Sequence, residues 1–210
     1  MRRIYKCLPN TRLVYVMRHP VDRLVSHYIH EWSMGNISCG IDEVVEKHPE
    51  MIAYGKYAMQ LDAVFAAYGR GAVLPVFFDR LIREPEAELE RVCRFIGYRG
   101  EPRWVHELKA GNVSSERVRR FPLYGLLVDS APATWVRRKF VPQGFRDWVK
   151  VRLTMKKRPA LSPEVKARLE AEFDNDLTTL GGWVGRSINC ANFKQVTATE
   201  VLDWAGVRGR

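Results

Sequence analysis

The residues best suited to chemistry lie in one short segment, in which Arg18 follows an apolar run and Ser26 comes further on. The run 13–17 predicts a buried strand, and Pro20 suits the first position of a helix. Ligands of open α/β sheets bind beyond the carboxyl ends of the strands, which puts Arg18 in a functional position. An arginine fork and a serine hydroxyl both donate hydrogen bonds to phosphate. The pair therefore predicts a phosphate-binding site.

Helix geometry sets where such a phosphate would lie. At ~1.5 Å rise per residue, Ser26 is about 9 Å along the helix from Pro20. A phosphate that contacts both Arg18 and Ser26 would lie alongside the helix and not on its end. The same spacing also fits a structural role, in which Arg18 pairs with a carboxylate such as Asp22 and Ser26 faces solvent. Spacing alone leaves both interpretations open.

The residue types alone assign no catalytic acid or base. A lone histidine is more often a surface or core residue than a general base, so we name no catalytic residue. The histidines of the chain are His19, His27, His30, His48 and His106.

Hydrophobic periodicity predicts the elements that position this segment. The helix from Pro20 has apolar residues at three- and four-residue spacing and ends at Gly35–Asn36, and a second helix is predicted over 57–68. Residues 73–78 are predicted as another buried strand. Pro75 lies inside that run although it lacks the donor that a strand interior uses, so the strand's boundary is uncertain.

The second half of the chain adds two more helices. One opens at Pro85 and is capped by Gly97, and the other opens at Ser162 and ends at Gly181–Gly182. The residues of the first that are expected to face inward are Leu89, Val92, Cys93 and Ile96. Residues 100–142 are predicted to be irregular, and the segment after Asn189 is expected to be loosely docked.

This order of strands and helices favours an α/β fold with a parallel sheet. At 210 residues and 24.3 kDa, with 46% hydrophobic residues, the chain suits one globular domain. Its four cysteines form no CxxC pair, so the sequence predicts neither a structural zinc nor a disulfide framework. No apolar run reaches the roughly 18 residues of a membrane span, and we expect a cytoplasmic protein.

Residues 13–28, LVYVMRHPVDRLVSHY, resemble the strand, arginine, proline, arginine and serine segment of the sulfotransferases that use 3'-phosphoadenosine 5'-phosphosulfate. Residues 73–97 are similar to the strand, turn, Asp-Pro and helix that follow in this family. A third segment, 161–185, resembles the helix that opens with Leu-Ser-Pro-Glu in its glycan-modifying and bacterial branches. Together these matches cover about residues 9–188.

The resemblance implies a sulfotransferase domain over residues 1–188, with a C-terminal tail over 189–210. The implied fold is the nucleotide-kinase type of α/β fold. In this family the residues that match Arg18 and Ser26 bind the 3'-phosphate of the sulfuryl donor. The implied reaction transfers the sulfuryl group of 3'-phosphoadenosine 5'-phosphosulfate to a hydroxyl or amine of a small-molecule or glycan acceptor. It requires no metal and no specific nucleic-acid partner.

The chain departs from the family pattern at three places. His19 stands where the family usually has an acid, and Asp79-Arg80-Leu81 replaces its Glu-Asp-Leu. More seriously, no loop with glycine, lysine and threonine of the kind that holds the 5'-phosphosulfate occurs anywhere in the chain. We therefore expect the first strand and its phosphate loop to be missing, and we expect this chain alone to show no sulfuryl transfer.

A basic stretch at 137–158 gives a second hypothesis for function. It holds nine basic residues against the single acid Asp147, in a chain with a net charge of +10. Its cations could hold the nucleotide or an acidic acceptor, or could be the solvated face of a short helix. The alternative function is a non-catalytic module that binds a polyanion, such as an acidic glycan, nucleic acid or a lipid surface.

Overall fold

The computed structural model describes residues 2–106, 155 and 157–206. The elements, in chain order, are α1 (Arg2–Cys7), β1 (Leu13–Met17), α2 (Pro20–Met34), α3 (Ile41–Lys47), α4 (Pro49–Ala53), α5 (Tyr57–Tyr68), a 3-10 turn (Arg70–Ala72), β2 (Val73–Phe77), α6 (Phe78–Arg83), α7 (Pro85–Ile96), α8 (Pro163–Val184) and α9 (Phe193–Thr199). Helices alternate with parallel strands, and the predicted α/β class is confirmed.

The described residues fall into two compact units. The first contains the residues up to Leu24, residues 50–106 and the part of the chain from Pro163 onward. The second contains residues 25–49 and, from the following part of the chain, residues 155 and 157–162. In the second unit, the apolar side of α2 is buried as its periodicity predicts, and the Tyr28 hydroxyl donates a hydrogen bond of 3.0 Å to the Cys39 carbonyl.

The sheet brings two carboxyl ends to one edge. β1 and β2 pair in parallel, with Leu13 opposite Val73 and Met17 opposite Phe77. Because parallel strands point the same way, the residues that follow them, Arg18 and Phe78, leave the sheet at the same edge. The predicted strand 73–78 is therefore confirmed except for its last residue, which begins α6.

The two strands differ in how completely they are covered. All five residues of β2 are buried, whereas β1 alternates, with 38% of Val14 and 45% of Val16 exposed. Successive side chains of a strand point to opposite faces, so one face of β1 is open to solvent. The prediction of a buried strand is confirmed for β2 and is wrong for this face of β1.

A buried ionic cluster ties β2 to α7 and to the C-terminal segment. Glu88 is only 1% exposed and accepts hydrogen bonds from Arg80 Nε at 2.8 Å and from Arg91 Nη1 at 3.1 Å. Arg91 also donates to the carbonyls of Pro75, at 2.9 Å, and Leu202, at 2.8 Å. Pro75, which has no N–H for the ladder, thus uses its carbonyl to bind α7 instead.

Two helix predictions need correction. In α7, Ile96 is 49% exposed, and the buried residue is Glu88, because its two arginine partners satisfy it in the interior. The last long helix, α8, runs through Gly181 and ends at Val184, before Gly185 with φ of +69°. Gly181 allows close packing instead of stopping the helix, since a Cβ there would lie 2.4 Å from the Arg186 carbonyl oxygen.

The segment after Asn189 is packed and not loosely docked, so that expectation is wrong for its described residues. Phe193 and Thr197 of α9 are fully buried, and Leu202 and Trp204 are nearly so. The Trp204 indole N–H donates a 2.7 Å hydrogen bond to the Val73 carbonyl. Apolar anchors at irregular spacing hold this segment, which explains why no helical period reveals it.

Two sequence predictions fall largely outside the described residues. Of the segment predicted to be irregular, 100–142, only residues 100–106 are described. Of the basic stretch 137–158, the described residues are 155, 157 and 158.

Candidate functional site

Arg18 is held at the end of β1 through both its backbone and its side chain. The Tyr57 hydroxyl accepts a hydrogen bond of 3.1 Å from the Arg18 amide and donates one to the Arg18 carbonyl. The Arg18 guanidinium lies over the Phe78 ring, 5.0 Å from its centroid, as in a cation–π contact. Tyr57 is fully buried, and burial raises its pKa to about 12, so the hydroxyl keeps its proton at neutral pH.

Two carboxylates stand near the same sheet edge, Asp22 in the first turn of α2 and Asp79 in the first turn of α6. Burial raises the pKa of Asp79, and the charges of Lys194 and Arg18 oppose that rise only in part. Burial also acts to raise the pKa of Asp22, but a hydrogen bond from Lys194 and the nearby cations outweigh it, so that pKa is lowered. Lys194 and Arg18 therefore both act to lower the pKa of each carboxylate.

Asp79 has an unusual environment for a carboxylate. Its Oδ2 atom is buried and has no hydrogen-bond partner among the described residues. A charged oxygen without a partner is costly in a buried position, which agrees with the raised pKa of Asp79. Of the two carboxylates at this edge, Asp79 is the one that has a buried oxygen without a hydrogen-bond partner among the described residues.

Lys194 reaches this edge from α9. Its Nζ lies 2.5 Å from Asp22 Oδ2, and 58% of its side chain is exposed. The preceding residue, Phe193, packs its ring against Phe77 at a centroid distance of 6.0 Å and against His19 at 5.8 Å. The anchor of α9 thus sits between the ends of the two strands.

His19 is a structural residue in this arrangement. It is 8% exposed, and its Nε2 lies 3.0 Å from the Cys190 carbonyl, so Nε2 carries the proton and donates it. Its Nδ1 is buried without a partner among the described residues. Because the ring is buried, it is out of reach of a substrate molecule that enters from solvent. The structure therefore gives His19 no role as a general base.

The other histidines do not form a catalytic pair with one another. His27 lies 3.3 Å from Glu31 on the same helix, and the exposed His106 lies 2.5 Å from Glu86. His30 is exposed and His48 is half-buried. We assign none of them to catalysis.

Ser26, the second residue of the predicted phosphate site, lies on α2 and is half-buried. It belongs to the second compact unit, whereas Arg18 belongs to the first. Its part in binding a phosphate remains a prediction from the sequence.

Sequence reasoning missed most of the surroundings of Arg18. Tyr57 looks like an ordinary core residue of an amphipathic helix, and Phe78 looks like the end of a strand. Lys194 lies in a segment without a period. A signal existed only for Asp79, because a polar residue directly follows a buried strand there.

An α/β fold with arginine at the carboxyl end of a parallel strand is a nucleotide-binding arrangement in many proteins. The family model described as "Sulfotransferase domain" matches residues 3–181, and the chain therefore belongs to the sulfotransferase domain family. No curated protein was found as a relative.

A solved structure supports the fold. The chain resembles the crystal structure of a sulfotransferase from Alicyclobacillus acidocaldarius, with a TM-score of 0.54 and 18% sequence identity. The match covers 89% of this chain and 60% of that one. The chain therefore spans well under two thirds of the length of that sulfotransferase.

Two further observations concern the described residues alone. They contain no group of three or more His, Cys, Asp or Glu side chains arranged to hold a metal ion. None of their helices has both the length and the apolar character needed to cross a bilayer.

Proposed function

We propose that the chain contributes donor binding to sulfuryl transfer from 3'-phosphoadenosine 5'-phosphosulfate to a hydroxyl or amine acceptor, with Arg18 and Ser26 as contacts of the donor's 3'-phosphate, whereas the chain alone is expected to bind without turnover. The observation that carries the proposal is the fixed position of Arg18 at the carboxyl end of β1. Membership of the sulfotransferase domain family supports the reaction class.

The chemistry suits Arg18. A 3'-phosphate carries close to two negative charges and three acceptor oxygens, and the planar guanidinium offers several donors at fixed angles. Tyr57 and Phe78 limit the freedom of this side chain and of its backbone, so less entropy is lost when a ligand binds. Ser26 would add one neutral donor and a smaller contribution.

In the proposed reaction, the acceptor oxygen or nitrogen forms a bond to sulfur as the bond from sulfur to the 5'-phosphate oxygen breaks. The acceptor loses its proton, and adenosine 3',5'-bisphosphate leaves. The residues described here would bind and orient the donor, since positioning and charge stabilisation dominate transfers of this kind.

The test is calorimetric titration of wild type and Arg18→Ala with adenosine 3',5'-bisphosphate and with adenosine 5'-phosphate. A charged hydrogen bond contributes ~1.5–3 kcal/mol, so Arg18→Ala should weaken the bisphosphate by ~10- to 150-fold. Ser26→Ala should weaken it less. Adenosine 5'-phosphate lacks the 3'-phosphate and should bind both proteins almost equally.

The control is Arg94→Ala, which removes an equal charge from the exposed side of α7. It should leave both affinities unchanged, and circular dichroism checks that each variant is folded. An equal loss for both nucleotides in Arg18→Ala would show that Arg18 holds the fold, and would refute the 3'-phosphate assignment. Binding that collapses in 0.5 M salt for both nucleotides would instead favour the polyanion-binding alternative.

A further inference from the structure

The C-terminal segment delivers a second cation to the sheet edge that carries Arg18. Phe193 is fully buried against Phe77, the last residue of β2, and against His19, which lies just beyond β1. Lys194 follows directly, and its Nζ reaches Asp22 in the first turn of α2. Its place at the edge is thus fixed by a core anchor and by an ion pair.

The pairing of Lys194 with Asp22 does not exclude a ligand. More than half of the Lys194 side chain is exposed, and about a quarter of that of Asp22. Ion pairs with this exposure contribute little to stability, because water solvates both partners well. A group with two negative charges can therefore compete with the single charge of Asp22 for the ammonium.

Arg18 and Lys194 also surround the same carboxylates. Both cations act on the pKa of Asp22 and on that of Asp79. These electrostatic effects agree with the geometry, in which the ion pair with Asp22 and the Phe193 anchor place Lys194 at the sheet edge that Arg18 leaves.

We propose that Lys194 is a second cationic contact of the phosphate that Arg18 binds, so that the segment beyond the family-matched residues 3–181 forms part of the ligand site. The proposal rests on the proposed function for the identity of that phosphate. Arg18 would supply a directional fork, and Lys194 a compact charge that adjusts to the oxygens left over. Together they would favour a phosphate monoester with two negative charges over a neutral hydroxyl at the same position.

The experiment compares Lys194→Met with a matched control, Lys166→Met. Methionine keeps the apolar stem of lysine and removes its charge. Lys166 is a lysine of similar exposure, 55%, that pairs with Glu170 at 3.5 Å on α8. Calorimetric titration should show that Lys194→Met lowers the affinity for adenosine 3',5'-bisphosphate ~10-fold. The affinity for adenosine 5'-phosphate should change less than about twofold. Lys166→Met should change neither affinity.

A second variant predicts an effect of the opposite sign. Asp22→Asn removes the competitor for the ammonium, so it should strengthen bisphosphate binding by about two- to fivefold. The same substitution should have a smaller effect in the Lys194→Met background, because only Arg18 of the two cations near Asp22 remains there.

The outcomes separate this inference from the proposed function. If Lys194→Met binds the bisphosphate like wild type while Arg18→Ala does not, the inference is wrong and the proposed function stands. The inference is also wrong if Lys194→Met lowers the affinity for both nucleotides equally, or if Asp22→Asn lowers the affinity for the bisphosphate. If wild type shows no preference for the 3'-phosphate, the proposed function itself fails.

Discussion

Basic and acidic side chains meet in two regions of this protein that differ in their access to water. In the buried cluster, Arg80 and Arg91 enclose Glu88, which is 1% exposed. At the sheet edge, Lys194 and Asp22 pair in a setting where both remain partly exposed. Both regions pair cations with carboxylates, but the carboxylate is closed to solvent in the buried cluster and partly open at the sheet edge.

This difference in exposure implies that the buried cluster stabilises the fold and that the sheet edge is suited to ligand binding. A buried carboxylate between two arginines helps to hold two carbonyls and two helices in place, and its removal leaves two largely buried cations without this partner. A partly exposed pair contributes little to stability and can exchange partners. We therefore expect mutations in the buried cluster to change the free energy of unfolding, and mutations at the sheet edge to change ligand affinity.

The largest effect is expected for Glu88→Ala. Removal of one partner of a buried ion pair costs about 3–5 kcal/mol. Here Arg80 would lose its carboxylate partner, and Arg91 would keep only the exposed Asp203, at 3.6 Å. Urea unfolding should show this loss in the free energy of unfolding. Glu90→Ala, on the exposed side of the same helix, is the control and should change it by less than about 0.5 kcal/mol. Equal stability of the two variants would contradict the comparison.

An intermediate effect is expected for Tyr57→Phe, which acts on both properties. The Arg18 amide and carbonyl lose their partner, at a cost of about 1–3 kcal/mol in the free energy of unfolding. Affinity for adenosine 3',5'-bisphosphate should fall as well, because Arg18 is less well positioned. The control is Tyr15→Phe, which removes the hydroxyl bond to Gln60 and keeps the ring that packs against Tyr57. A loss of affinity of the same size in Tyr15→Phe would show that the effect is not specific to Arg18.

The smallest effect concerns the pH dependence of stability. The folded protein raises the pKa of Asp79 above its ordinary 3.8, so this carboxyl lowers the free energy of unfolding as the pH rises through and beyond that value. Asp79→Asn should therefore be slightly more stable than wild type at pH 7, with no difference at pH 3. Urea midpoints between pH 3 and pH 8 measure the change.

Asp22→Asn should change the free energy of unfolding in the opposite direction in the same experiment. The folded protein lowers the pKa of Asp22, so its contribution to stability is present at neutral pH and is lost as the pH falls. This variant should be less stable than wild type at pH 7, and the difference should shrink towards pH 3. If both variants shifted in the same direction, the contrast between the two carboxylates would be wrong.

The sequence predicts the scaffold better than the surroundings of the site. Period and capping residues locate α2, α5, α7 and α8, because apolar residues recur every three or four positions along each of these helices. Arg18 can be found from its place after a strand. The expected burial of Ile96 and the expected end of α8 are wrong, because both depend on which distant residues pack there.

The rest of the site depends on contacts between distant parts of the chain. Tyr57 reaches the Arg18 backbone across 39 positions, and Lys194 reaches Asp22 from the other end of the sequence. No local pattern marks either residue. The burial of Glu88 is equally invisible, since a glutamate in the first turn of a helix is ordinarily a surface residue that interacts with the helix dipole.

The bond from the Trp204 indole to the Val73 carbonyl has a consequence for biosynthesis. The two residues are 131 positions apart, so the strand emerges from the ribosome long before its partner has been made. Until residue 204 is released, β2 has an uncovered apolar surface and an unpaired carbonyl. Loop closure over such distances is slow, and exposed strands in the interval promote aggregation. We therefore expect β2 to be the part of the nascent chain that is exposed to aggregation until the C-terminal segment has been made.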